Sequence, residues 1–444
     1  MAIFGKRFGF GLVLAVAALT TLTALPARAE LDIQEITTPG GIDLWLVENH
    51  SIPFVALELR FKGGASLDSA EKNGASYLMM GLLEEGAGAL DSRGFARAVE
   101  SIAASFSYKI YDDSTAISAQ FLTENRDAAV ALLRDSIINP RFDPAAIERV
   151  RAQVISSLQS DEKDPDEIAG RTLDQLIYGD HPYGRQKEGT LETVRALTRD
   201  DLVAAHQGAL TRDRMSVAAV GDITAEELSA LVDGLLGDLP ATGPALAGPV
   251  EPVLTEGITI VDFETPQSVA LFAQPGIDRD DPDFFAAYVL NVTLGGGGFE
   301  SRLMTEVREK RGLTYGVYSY LVDKDQADLW MGSVASANDR IAQAIDVIRD
   351  EWVKMRDIGV TAQELQDAKT YLTGAYPLRF DGNGPIANIM VGMQMQGLGV
   401  DYIDTRNDRV NAVTQDDVNR VAKRLLDPSQ MRFVVVGQPE GLAQ

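Results

Sequence analysis

The chain has 444 residues, with 40 Lys and Arg against 65 Asp and Glu, three histidines and no cysteine. A formal charge of −25 speaks against nucleic acid or an anionic lipid surface as the main partner, and the missing cysteines exclude disulfides, thiol catalysis and thiolate metal sites. The length exceeds one ordinary core, and His50, His181 and His206 are too scattered to form a local metal motif.

Residues 1–29 read as an export signal: Lys6 and Arg7 precede the apolar run Gly11 to Leu25, and Ala27-Arg28-Ala29 is a small-x-small cleavage site. Cleavage after Ala29 predicts an exported, periplasmic protein, with no later stretch apolar enough to span a bilayer. Residues 30–236 form a first domain. Val55, Leu57, Leu59 and Phe61 alternate, as do Ile117, Ala119 and Phe121, which predicts half-buried strands. Asp143-Pro144 opens a helix on which Ile147, Val150, Val154 and Leu158 share one face, and Thr224 with Glu227 is a capping box. Residues 237–257 hold Pro240, Pro244, Pro249 and Pro252 and read as a semi-rigid hinge linker. Residues 258–444 form a second domain, with a strand at Val269, Leu271 and Ala273 and a capping box at Thr361 and Glu364.

The two domains are copies of one design. Thr198, Asp201 and Leu202 match Thr414, Asp417 and Val418 at an offset of 216, and Met215 to Gly221 matches Met431 to Gly437 at the same offset. Tyr77, Leu83 and Gly86 match Tyr288, Leu294 and Gly297 at 211, and Ile147 and Arg151 match Leu365 and Lys369 at 218. The order is preserved, and small drifts in offset are what loop insertions produce. The fold class is α+β: two homologous domains, each an antiparallel-rich sheet backed by helices.

The most distinctive segment runs from Leu294 through Gly295-Gly296-Gly297-Gly298 and Arg308 to Tyr315 and Tyr318. It resembles the second-repeat signature of the pitrilysin/insulinase-type metallopeptidases, the inverzincins, which include mitochondrial processing peptidase. The duplication, His181-Pro-Tyr-Gly184 and the Pro-rich linker extend the resemblance over nearly the whole chain after residue 29. It implies half of a clamshell, in which an arginine and a tyrosine at these positions, Arg308 and Tyr315, reach a zinc site in another domain. A tyrosine hydroxyl can donate to the oxyanion of peptide hydrolysis, and an arginine can hold neighbouring carbonyls. By residue type alone, Arg308 reads as a helix-surface cation and Tyr315 as a strand aromatic; it is the whole matched segment that points to the functional reading.

The zinc half of that site is missing. An inverzincin carries H-x-x-E-H on a helix of its first repeat, with two histidines as ligands and a glutamate that activates water. After Gly74 this chain reads Ser76-Tyr77-Leu78-Met79-Met80, so that Ser76, Met79 and Met80 stand at the degenerate motif positions. The place of the family's third ligand falls near Ser157. Methionine is too soft for zinc and cannot take a proton. No metal is therefore expected in this chain. Zinc is expected in a homologous partner that bears H-x-x-E-H and forms a heterodimer with it, acting on peptide substrates.

Other motifs are weaker. Gly295 to Gly298 lacks the ending of a P-loop and reads either as a close-packed turn or as a flexible substrate-facing loop; the resemblance implies substrate binding. Asp323, Asp325 and Asp328 lack the glycine and glutamate of a calcium loop and read as a solvated acidic loop. His181 and His206 read as structural. The leading expectation is a non-catalytic subunit of a heterodimeric zinc peptidase, and the alternative is a catalytically silent scaffold or peptide-binding protein of the same fold.

Overall fold

The computed structural model describes residues 31–442, so the export segment 1–29 lies outside the described residues. In the first half, strands β1 (Gln34–Thr37), β2 (Asp43–Glu48), β3 (Phe54–Lys62), β4 (Ser105–Ile110), β5 (Ser114–Leu122) and β6 (Met215–Gly221) form a six-stranded sheet in the order β1-β2-β6-β3-β5-β4. In the second half, β7 (Gly257–Asp262), β8 (Gln267–Pro275), β9 (Val317–Lys324), β10 (Ala327–Ala337) and β11 (Arg432–Gly437) form a five-stranded sheet in the order β9-β10-β8-β11-β7. Each sheet has one parallel pair, β2 with β6 and β7 with β11; the other pairs are antiparallel. The duplication read from the Met215 and Met431 segments is thus a duplication of sheet topology, since both segments are interior strands carrying the parallel pair.

The helices that matter for the site are α1 (Ala75–Leu82), α2 (Pro144–Asp161), α3 (Pro165–Tyr178), α4 (Arg199–Ala209), α5 (Phe284–Asn291), α6 (Ala362–Ala375), α7 (Asn383–Met395), α8 (Tyr402–Ala412) and α9 (Gln415–Leu425). Val55, Leu57, Leu59 and Phe61 of β3 are buried under the first-half helices with Leu78, Val150 and Leu202. In β8 both faces are buried. Ala270 and Phe272 pack with Trp330 and Trp352, while Val269 and Ala273 face α3. Burying both faces explains why β8 reads almost continuously apolar.

The second face of each sheet is covered by a helix from the opposite half. Ile168, Leu173 and Ile177 of α3, a first-half helix, pack on Val434 and Val436 of β11. Helix α7, from the second half, lies on β3 and β6, where the Gln394 side chain donates to Val217 O (2.8 Å) and Arg60 donates to Asn388 Oδ1 (2.7 Å). This exchange makes Asp32–Gln444 one compact unit. The segment 237–257, whose prolines read as a semi-rigid hinge linker, is bonded to the body of the molecule. Arg212 N donates to Pro240 O, Val250 N to Gln326 O, Val253 N to Ile177 O and Glu256 N to Ser429 O, so it is stitched to both halves along its length. Among the described residues no helix is long and apolar enough to cross a membrane.

Candidate functional site

Helix α1 begins at Gly74, whose φ of 92° is a left-handed turn that favours glycine. The carboxylate of Asp68 closes the helix N-terminus, accepting from Gly74 N (3.0 Å), Ser76 N (3.1 Å) and Ser76 Oγ (2.6 Å). Burial raises the pKa of Asp68 against the pull of these donors. Ser76 is consumed by this cap, and Met79 is fully buried in the first-half core. The face of α1 that opens outward instead carries Tyr77, Met80, Gly81 and Glu84. These line a cavity of about 470 Å³ together with Tyr108 and Tyr111 at the edge strand β4 and Gln153 and Ser157 on α2.

This geometry corrects the motif register by one residue. Three metal-site side chains at i, i+3 and i+4 must converge on one point, and on this helix the positions at that spacing that reach the cavity are Tyr77, Met80 and Gly81. Ser76 and Met79 point into protein; of the residues first assigned, only Met80 reaches the cavity. Ser157 lines the same space, so the first-half site is assembled but re-lined with a phenol, a thioether, a hydroxyl and no side chain at all. These groups do not fit zinc, and none can hold a water-derived proton at neutral pH. Among the described residues no group of three His, Cys, Asp or Glu is placed to hold a metal. Glu84 and Glu85 also line this cavity, and burial, with Glu85 beside it, raises the pKa of Glu84.

The second-half signature has a different local design. Helix α5 runs on into a π-helical turn, Val292–Gly296, and a second π-helical turn spans Met304–Glu309. A Cβ on Gly295 would meet Ser319 N at 2.7 Å, one on Gly296 would meet Asn291 Nδ2 at 2.6 Å, and one on Gly297 would meet Val292 O at 2.6 Å. Close packing therefore accounts for three of the four glycines. Gly298, with φ +67° and open space around it, remains at the surface beside the exposed Phe299.

Most cations of this segment are paired. Arg302 clamps Glu364 of α6 through two bonds (2.6 and 2.8 Å) and donates to Gly359 O (2.7 Å), while Lys310 and Arg311 share Glu306. Arg308 has no carboxylate partner among the described residues, and its guanidinium lies over the Phe299 ring, 4.8 Å from the centroid. Beyond it, Thr314 Oγ1 donates to Ala335 O (2.6 Å) and accepts from Gly316 N (3.1 Å). This fixes a turn with Leu313 buried on one side and Tyr315 projecting on the other, 89% exposed. Tyr318 and Tyr320 follow on the same face of the edge strand β9, both exposed.

The remaining sequence candidates are structural. His206 is half-buried, its Nε2 2.7 Å from Ile137 O and its ring edge-on to Phe142, and desolvation lowers its pKa. His181 Nδ1 accepts from Tyr183 N (3.3 Å), and its Nε2 is 3.1 Å from Gly248 O. Asp323, Asp325 and Asp328 lie around the β9–β10 turn, which docks on the β4–β5 turn of the other half. There Lys324 pairs with Asp112 (2.6 Å) and sits over the Tyr183 ring (4.4 Å), and Asp325 N donates to Asp113 (3.1 Å). Burial, with Asp323 nearby, pushes the Asp328 pKa up to about 6. The solvated acidic loop of the sequence reading is in fact a contact between the two halves.

Two family descriptions match adjacent parts of the chain: Insulinase (Peptidase family M16) over residues 44–191 and Peptidase M16 inactive domain over residues 196–372. The chain is 26% identical over 390 residues to the non-peptidase homolog YmxG of Helicobacter pylori, covering 88% of this chain and 90% of that one. It is 25% identical to the probable mitochondrial-processing peptidase subunit beta of Schizosaccharomyces pombe, covering 85% of each. The crystal structure of a peptidase M16 inactive domain from Pseudomonas fluorescens superposes with a TM-score of 0.86 at 29% identity, over 93% of this chain and 99% of that one. A protease from Helicobacter pylori shares the fold at a TM-score of 0.82 and 16% identity, over 91% of this chain and 99% of that one. With the duplicated sheets, the Arg308–Tyr315 segment and the re-lined α1 cavity in place, these matches identify the chain as a member of the M16, insulinase-type, peptidase family, a non-catalytic homologue within it.

Proposed function

We propose that this chain is the non-catalytic partner in a periplasmic, heterodimeric zinc peptidase of the M16 type. It closes a chamber against a homologous subunit that bears H-x-x-E-H. The observation that carries this reading is the state of Arg308 and Tyr315: a cation with no carboxylate among the described residues, stacked on an exposed phenylalanine, and a tyrosine held outward by a built turn. Exposing a large aromatic this far has no packing benefit within the chain, and Tyr and Arg are the types enriched where protein surfaces meet ligands and partners. In the complex, the Tyr315 hydroxyl donates to the developing oxyanion at the partner's metal, and Arg308 holds adjacent substrate carbonyls. Substrate enters as an extended peptide.

The test is reconstitution with an H-x-x-E-H homologue from the same organism, measured as zinc-dependent cleavage of a quenched fluorescent peptide. Tyr315→Phe and Arg308→Ala should each lower kcat/KM about 10²-fold or more, the usual cost of losing one oxyanion donor, with the subunits still co-eluting. A second reading, a scaffold or peptide-binding protein without chemistry, draws on the relative named a non-peptidase homolog. It requires both variants to leave every activity of the complex unchanged.

A further inference from the structure

The duplication supplies an internal comparison at the first helix of each half. The 211-residue offset that relates Tyr77 to Tyr288 also relates Asp68 to Arg279 and Ser76 to Ala287. Helix α1 starts over the buried Asp68 carboxylate, which accepts from two backbone amides and a hydroxyl. Helix α5 starts beside a cation instead, and its N-cap residue, Asp283, makes no side-chain bond to the helix. Where the first half has a cleft of about 220 Å³ crossed by the Lys72–Asp201 pair, the second half has a cavity of about 500 Å³ between the Arg279–Ala286 segment and helices α8 and α9.

Three arginines line this cavity, and one of them, Arg420, is taken up by Asp283. Arg279 stacks against Phe284 (4.8 Å) and Tyr402 (5.3 Å), and its Nη2 donates to Tyr402 Oη (2.6 Å). Its Nε is buried and has no acceptor. Arg409 lies over Tyr402 (5.6 Å) and Phe285 (6.0 Å), and no carboxylate pairs with it among the described residues. Three of the four acids along the wall are engaged. Asp281 and Asp283 are held by Arg420 and Arg424, and Asp417 caps α9 through Thr414; Asp280 is exposed. Asp323 acts on Arg279 at longer range without forming an ion pair with it.

We infer that this cavity binds a small organic carboxylate with a flat apolar body, its carboxylate between Arg279 and Arg409 and its body against Phe284, Phe285 and Leu398. The ligand carboxylate would stand near where Asp68 puts its own carboxylate in the first half. It would accept from guanidinium N–H groups of Arg279 and Arg409, neither of which forms an ion pair among the described residues. The planar guanidinium suits a carboxylate geometrically and stacks on aromatic faces, and Phe284, Phe285 and Leu398 give the cavity wall an apolar stretch beside the arginines.

The experiment uses purified chain and three probes: N-acetylphenylalanine, its neutral amide and inorganic phosphate, each followed by calorimetric titration and by the unfolding temperature. The acid should bind and raise the unfolding temperature, with the amide at least about tenfold weaker because charge-assisted pairing is lost. Phosphate alone should not bind, since it has no apolar body. Arg409→Gln should weaken the acid about tenfold and shift the free protein's unfolding temperature only slightly, because Arg409 is exposed, has no ion pair among the described residues and gives up only its exposed contacts with Tyr402 and Phe285. Phe285→Ala should weaken acid and amide alike. The inference is overturned if the acid does not bind, if the amide or phosphate binds as well as the acid, or if R409Q binds like the wild type.

Discussion

The Arg302–Glu364 clamp sets the position of the segment that carries Arg308, and its strength can be worked out. Burial alone would raise the Glu364 pKa. The two bonds from Arg302, with the Thr361 amide and hydroxyl, overcome this and hold it at about 2, against an ordinary value of 4.5. A pKa unit corresponds to about 1.4 kcal/mol, so the full shift is about 3.5 kcal/mol at most; the Glu364 side chain is 29% exposed, and solvent screening discounts the net value to roughly 1–2 kcal/mol. Glu364 is a depressed carboxylate, so its contribution is complete above pH 4.5 and is lost as the pH falls towards 2. Arg302→Leu should therefore cost roughly 1–2 kcal/mol in urea unfolding at pH 7, and about three fifths of that at pH 3.5 by the same linkage. The loss should also appear as faster amide exchange over Met304–Glu309, since the clamp ties that turn to α6. An equal cost at both pH values would refute the electrostatic account, and unchanged exchange would refute the positioning role.

Two further outcomes follow from local geometry. Gly295→Ala drives a Cβ onto the Ser319 backbone and should cost about 2 kcal/mol of stability, whereas Gly298→Ala, in open space with φ +67°, should cost about 1 kcal/mol; urea unfolding of the pair checks the order. The corrected motif register predicts that Y77H/G81H/S157E, with all three positions on the α1 cavity, gains zinc binding in a competition assay with a chromogenic chelator. S76H/M80H/S157E should not gain it, because residue 76 points at Asp68; zinc binding by the second variant and not the first would restore the earlier register.

Much of the fold is legible in the residues. The capping boxes at Thr224 and Glu227 and at Thr361 and Glu364 form as their spacing implies, and the Met215 and Met431 strands occupy equivalent places in the two sheets. Even the match of Arg151 to Lys369 has a physical content: each cation donates to backbone carbonyls of a neighbouring segment, Arg151 to Leu197 O (2.9 Å) and Lys369 to Asn411 O (2.8 Å). The register of the degenerate motif was not legible. With its ligands gone, only Gly74 anchors it, and α1 is apolar on nearly every side, so periodicity does not say which face opens outward. The spacing of Tyr77, Met80, Gly81 and Glu84 was the available signal, and it becomes decisive only once Ser76 is seen to be used by Asp68.

The exchange of α3 and α7 was illegible for a different reason: an amphipathic helix states that it needs an apolar surface, not whose. The exchange alters the meaning of the Pro-rich segment. A hinge requires that few contacts cross it, yet here two helices cross, and the β9–β10 turn adds Lys324 against Asp112 and the Tyr183 ring. Opening the two halves would expose the apolar faces of α3 and β11 together, a cost that scales with the area uncovered. Residues 237–257 are thus better suited to fixing the angle between the sheets than to varying it. A chain built this way presents Arg308 and Tyr315 from a rigid platform, so under the proposed function any opening that admits substrate occurs between this chain and the proposed partner rather than within it.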